Sequence, residues 1–204
     1  MEENKEPKIQ QEEIELEEDF KYITYLVGAI QITAEKDDGQ TKREYIEKEL
    51  LLRGVYPINP VKMEAKKTGQ SVENMKEKMT GWIASGNWDL FEEKSKEIWK
   101  GSYAITTEGN LVKKLGDIDY VIASDWISFI LNEGDKCCGS YGESYGAVEH
   151  NVPIYLITKI AKKDLPQSLL QWVIISKGRI FENFTQYLEF IDYEYKLKRK
   201  EEKK

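Results

Sequence analysis

Gly139-Ser140-Tyr141-Gly142-Glu143-Ser144-Tyr145-Gly146-Ala147, and shortly after it Asn151-Val152-Pro153-Ile154-Tyr155-Leu156-Ile157-Thr158, is the stretch whose reading decides the fold. A glycine-rich turn, a helix and a short continuous apolar run follow one another there. That is the order expected where a helix feeds a buried strand. Read so, Glu143 stands at the helix start, at the mouth of a parallel sheet, where a carboxylate can act as a nucleophile. A second reading fits the same letters. Ser140-x-x-Glu143 is also a capping box, in which the two side chains satisfy the first free N–H groups of the helix. From the local pattern alone the cap is favoured, and the rest of the chain has to choose between them.

Outward from this stretch, short apolar runs alternate with amphipathic segments. Tyr22 to Gly28 reads as a first strand ending at glycine, and 41–53 as a charged helix with Tyr45, Ile46 and Leu50 on one side and Gly54 stopping it. Val55 to Pro60 reads as a short strand. Residues 63–105 have helical periodicity and carry Trp82, Trp88 and Trp99, with Gly86-Asn87 dividing them into two helices. A helix over about 107–116 leads into Asp119 to Ser124 as a third strand. Pro153 to Thr158 is the fourth, Trp172 to Ser176 the fifth, and Asn183 to Tyr195 a closing helix. Strands separated by helices predict a single α/β domain of Rossmann or flavodoxin type: three layers, about five parallel strands, helices on both faces. Such sheets bind ligands at the carboxyl ends of their strands. Gly28, Ser124 and the Gly139–Glu143 turn are expected to gather at that edge. Residues 1–19 are acidic and poor in large apolar groups, and 196–204 are as densely charged with the opposite sign, so both read as solvated tails flanking a domain over 20–195 with a helical insertion at 63–105.

Composition narrows the chemistry. The 204 residues carry a formal net charge of −7, which argues against general nucleic-acid binding, since that requires a basic face to displace counterions. The two cysteines, Cys137 and Cys138, are adjacent and read as small residues at a loop end, consistent with a reducing, cytoplasmic setting. No apolar run approaches a membrane span. The one histidine, His150, gives serine-hydrolase and zinc-hydrolase readings little to stand on. No Gly-x-x-x-x-Gly-Lys-Ser/Thr loop occurs, and no Gly-x-Gly-x-x-Gly follows the first strand. Carboxylate and tyrosine chemistry remains, and it suits glycosidic bonds, whose cleavage passes through a cationic sugar that a carboxylate can capture. A second acid, Asp125 or Asp135, would serve the departing base. Ser140 and the backbone N–H groups of Gly139–Gly142 would hold a hydroxyl or phosphate.

At this point the chain resembles the nucleoside 2-deoxyribosyltransferase family. Tyr25-Leu26-Val27-Gly28-Ala29 resembles that family's Tyr-Leu-Ala-Gly-Pro opening, and Asp119-Tyr120-Val121-Ile122 its Asp-x-Val-Ile strand. Gly139-Ser140-Tyr141-Gly142-Glu143-x-x-x-Ala147 with Val152-Pro153-Ile154 resembles its Gly-Thr-x-x-Glu-x-x-x-Ala signature and following strand. Ile180-Phe181-Glu182-Asn183 resembles its closing Val-Phe-x-Ser. The resemblance implies that Glu143 is the nucleophile on the anomeric carbon and that Tyr25 contacts the site and orients it. It further implies that Gly28, Gly139, Ser140 and Gly142 hold the substrate, and that Asn110 is the nearest match to an Asn-Asp element. It also implies a homo-oligomer acting on a nucleoside or nucleotide, with no metal or organic cofactor. The chain departs from the pattern at Ala29 (for Pro), Cys137 (for Asp) and Tyr145 (for Gly).

Two functions follow as expectations. The first is cleavage of the N-glycosidic bond of a (deoxy)nucleoside or its monophosphate, with the sugar passing to another base or to water. The alternative, favoured by Cys137 and Tyr145, is a catalytically inactive nucleotide-binding or signalling module on the same fold.

Overall fold

The computed structural model describes residues 9–11, 20–28, 38–106, 110–135 and 138–198. The chain divides into two compact units. One comprises Met1–Glu15 with Glu64–Tyr120, the other Leu16–Met63 with Val121–Lys204.

In chain order the elements begin with β1 (Ile9–Gln11), β2 (Tyr22–Gly28), α1 (Asp38–Leu51), β3 (Val55–Ile58) and α2 (Pro60–Thr68). Then come α3 (Val72–Ala84), α4 (Trp88–Lys100), β4 (Ser102–Ile105), β5 (Leu111–Lys114) and α5 (Asp117–Ile122). The remainder are β6 (Trp126–Leu131), α6 (Cys138–Glu149), β7 (Ile154–Thr158), α7 (Gln167–Ile175), β8 (Arg179–Phe181) and α8 (Phe184–Glu194).

The larger unit is an α/β layer structure of flavodoxin-like type. Its sheet has the order β3-β2-β6-β7-β8, every pair parallel. Counting only these strands the order is 2-1-3-4-5, so the direction of winding reverses between β2 and β6. β6 and β7 are buried along their whole length, as expected of strands covered on both faces. On one face, Leu26, Trp126, Ile130, Tyr155 and Ile157 pack against Ile46 and Leu50 of α1 and Tyr187, Leu188 and Ile191 of α8. On the other face lie α6 and α7, where Tyr141 stands edge-on to both Phe129 and Trp172. A buried polar chain runs under the first face. The Trp126 indole N–H donates to the Tyr187 hydroxyl at 2.9 Å, Ser128 Oγ and Tyr187 Oη share a hydrogen at 2.6 Å, and Ser128 Oγ lies 2.9 Å from Thr24 Oγ1. A one-residue slip of β2 against β6 would break this chain and turn Tyr25 to the wrong face. The chain enters β8 through Lys177 at positive φ and then Gly178, where a Cβ would lie 1.9 Å from the Ile154 carbonyl oxygen, so only glycine lets β8 reach β7.

The smaller unit has a three-stranded sheet of order β1-β5-β4, with β1 parallel to β5 and β4–β5 an antiparallel hairpin. Its helices α3 and α4 are divided by Gly86-Asn87, as the sequence predicts, and Gly69 at positive φ sets off α2 as a third helix. None of the described side chains from Glu64 to Lys114 is buried.

Several expectations need correction. The segment expected as a helix over 107–116 contains β5. Asp119 to Ser124 is not a strand: it falls in α5 and the turn after it, and the third strand of the sheet is β6. Trp172 to Ser176 closes α7, where Leu169 and Val173 are buried one helical turn apart, and the fifth strand is β8. Within the acidic tail, Ile9–Gln11 forms a strand; the rest of 1–19 lies outside the described residues. Of the basic tail, Leu197 packs against the core. The insertion extends beyond 105 to Tyr120. No helix among the described residues is long and apolar enough to cross a membrane.

Candidate active site

The switch point between β2 and β6 brings Gly28, the last residue of β2, beside Ile130 near the end of β6. Gly28 has φ of 156°, and a Cβ there would fall 2.8 Å from the Ile130 carbonyl oxygen and 3.3 Å from Nη2 of Arg43. A side chain at this position would wedge the two strand ends apart.

The helix leaving β6 supplies the carboxylate. Ser140, Glu143, Ser144 and Ala147 are all buried, at spacings of three, four and seven residues, so they form the face that α6 lays on the sheet. Three of the four are small, which lets the helix approach closely. Ser144 satisfies its hydroxyl within the helix, donating to the Ser140 carbonyl at 2.8 Å. Glu143 is 6% exposed, and its Oε1 accepts a hydrogen bond from the Tyr25 hydroxyl at 2.8 Å. Tyr25 is itself fully buried on β2. Burying a carboxylate is costly unless donors meet it, so this tyrosine contact is part of what keeps Glu143 inside. The capping-box geometry is not formed. α6 begins at Cys138, so Gly139, Ser140 and Gly142 lie within its first turns, not in a turn ahead of it, and Glu143 faces the sheet.

Asp135 lies at the same edge, in the tight turn after β6. Its Oδ2 accepts both the backbone N–H of Asn132 at 2.8 Å and the Asn132 side-chain amide at 3.0 Å. Asp125 lies at the opposite edge. It precedes β6, accepts the Ile23 N–H at 2.8 Å and donates its own N–H to the Ile23 carbonyl, closing the amino end of the sheet. Ser124 is there as well. The expected meeting of Asp125 and Ser124 with Glu143 therefore fails, because the third strand runs from Trp126 to Leu131 and both residues precede it. Asn110 belongs to the smaller unit, where its N–H donates to Thr106 Oγ1 and its carbonyl accepts the Thr106 N–H. Cys137 lies outside the described residues.

Tyr145 is half exposed and stands edge-on to Trp172 on the outer side of α6. Two residues along a helix is about 200° of rotation, so the bulk at this position points away from Glu143. His150 closes α6, with Nδ1 2.9 Å from the Gly146 carbonyl oxygen. A separate cleft of about 680 Å³ opens at the carboxyl ends of β7 and β8. Lys159, Lys162, Glu182 and Asn183 line it, and none of the residues given a catalytic or substrate-binding role from sequence does.

Sequence reading missed Arg43. It is 6% exposed and donates from Nη2 to the Gly28 carbonyl at 2.5 Å. Nothing in the charged run of α1 distinguishes a buried arginine from its solvated neighbours. No protein-family model matches the chain, and no curated protein matches it in sequence.

Proposed function

We propose that this protein cleaves the N-glycosidic bond of a (deoxy)nucleoside or nucleoside monophosphate, with Glu143 as the nucleophile. The observation that carries this reading is the buried Glu143 carboxylate, held by the Tyr25 hydroxyl beside the β2/β6 switch point. Open α/β sheets take their ligands there. In the first step a Glu143 oxygen bonds to the anomeric carbon as the C1′–N bond breaks, and its electron pair leaves with the base. The base is protonated by an acid at the mouth, a role that falls to Asp135 in the turn after β6. In the second step water or another base attacks the same carbon, gives its proton to the acid that protonated the departing base, and releases Glu143. Tyr25 holds Oε1 in place while the other oxygen, Oε2, attacks and takes the bond. Ser140, buried on the same face of α6, and the first-turn N–H groups of that helix suit a sugar hydroxyl or a 5′ group. The resemblance to nucleoside deoxyribosyltransferases and the Tyr25–Glu143 hydrogen bond support the same reading.

A catalytically silent nucleotide-binding module is the second reading. It is favoured by the position of Asp125, which removes one of the two acids from the site. Base release and base exchange from a panel of deoxynucleosides and their monophosphates, with Glu143→Gln alongside, separate the two. Base freed by the native protein and not by a folded Glu143→Gln is the expected result. Equal turnover by both removes Glu143 from the chemistry, and nucleotide binding without base release leaves the module.

A further inference from the structure

Two polar residues one turn apart on α1 reach the carboxyl ends of two neighbouring strands. Arg43 holds the Gly28 carbonyl at the end of β2. Glu47 accepts from the Lys62 ammonium at 2.7 Å and from the Asn59 side-chain amide at 3.4 Å, and Asn59 follows β3 directly. Asn59 in turn accepts the Val61 N–H at the start of α2, where Pro60 takes the first helical position. Arg43, Glu47 and Asn59 are each at least nine-tenths buried. Burying a guanidinium and a carboxylate gains little stability over an apolar pair of similar volume. What such groups do supply is direction: each fixes a particular strand end relative to α1. Gly28 is the strand end that matters, since it forms the β2 side of the crevice and has no room for a side chain between Ile130 and the Arg43 guanidinium.

We infer that Arg43 is a positioning residue: by holding the Gly28 carbonyl it fixes the β2 side of the switch-point crevice and so sets substrate affinity, not the chemical step. This rests on the reading that the crevice binds the nucleoside. Among the described contacts, the β2 ladder and α6 place Tyr25 and Glu143, so bond cleavage once substrate is bound is left to them.

The test is a split of KM against kcat in the base-release assay, for Arg43→Met, Arg43→Lys and Gly28→Ala. Loosening one wall of the site is expected to raise KM roughly tenfold, the change that about 1.4 kcal/mol of binding free energy makes. Arg43→Met and Gly28→Ala are expected to show that rise with kcat within about twofold, and Arg43→Lys, which can still donate to the carbonyl, to recover most of it. A purely structural role gives the opposite pattern: fewer folded molecules lower kcat and leave KM where it was, which would overturn the assignment. If the native protein frees no base, the glycosidic reading fails on its own, and calorimetric titration with a deoxynucleoside monophosphate takes over. A roughly tenfold weaker Kd in Arg43→Met, restored in Arg43→Lys, supports the clamp. An unchanged Kd, or no binding by the native protein, refutes it.

Discussion

Replacing Tyr25 by Phe removes one hydroxyl from a fully buried ring, and with it the hydrogen bond to Glu143. A hydrogen bond to a charged group contributes about 1.5–3 kcal/mol, and one to a neutral acceptor about 0.5–1.5 kcal/mol. Tyr25→Phe should therefore lower unfolding free energy by about 1.5–3 kcal/mol in the native background. In a Glu143→Gln background, where the amide oxygen still accepts, the same change should cost about 0.5–1.5 kcal/mol. The difference, on the order of 1–1.5 kcal/mol, is the coupling energy of a double-mutant cycle and exceeds the roughly 0.5 kcal/mol scatter of independent sites. Urea unfolding of the four proteins measures it. In turnover the same loss of positioning would lower kcat by roughly ten- to hundredfold, at about 1.4 kcal/mol per decade. Additive stabilities would mean that the tyrosine does not hold a charged Glu143, and the mechanism built on that contact would fall with it.

The remaining expectations concern parts of the fold away from the crevice. Asp125→Asn weakens the tie to the Ile23 N–H at the amino edge and should cost about 1 kcal/mol or less at this exposed position, with base release unchanged; a large loss of turnover would return Asp125 to the chemistry. Burial raises the Tyr187 hydroxyl above its ordinary value of 10.0, against the opposing hydrogen bonds from Ser128 and Trp126, and burial likewise raises Tyr155 and Tyr195. Above pH 10 the unfolded chain releases these protons while the folded protein keeps them. Stability should therefore be flat below that pH and fall above it, by about 1.4 kcal/mol per pH unit for Tyr187 alone. Stability that stays level to pH 11 in urea titrations, or a fall of the same steepness in Tyr187→Phe, would contradict this.

What could be read from sequence was what punctuation fixes. Tyr22–Gly28, Val55–Ile58 and Ile154–Thr158 are apolar runs bounded by glycine or proline, and each is a strand. Asn183 was expected to start the last helix and is its N-cap, its side chain accepting the Gln186 N–H. The errors fall where short apolar runs lack such bounds. Asp119 to Ser124 and Trp126 to Leu131 are neighbouring runs of similar length, and periodicity cannot separate a six-residue helix from a six-residue strand. Trp172-Val173-Ile174-Ile175 is rich in β-branched residues, yet tertiary packing of Leu169 and Val173 makes it helical. The first error moved Asp125 from one edge of the sheet to the other. Glu143 stands out from the glycine-rich turn and helix around it, and Tyr25 through the motif likeness. Arg43 was not legible, because burial of one charge in a charged helix leaves no trace in composition.

The seam between β2 and β6 joins residues about a hundred positions apart, as the Thr24–Trp126 contact shows at a separation of 102. The pairs β6·β7 and β7·β8, by contrast, close within one continuous stretch. Chain entropy opposes the long closure until many contacts form together, so the C-terminal βαβαβ stretch has the kinetic advantage and the β2–α1–β3 segment docks onto it late. Tyr25 and Glu143 lie on opposite sides of that seam. They meet only when this slowest pairing is complete, so a partly folded chain holds a sheet but no assembled site.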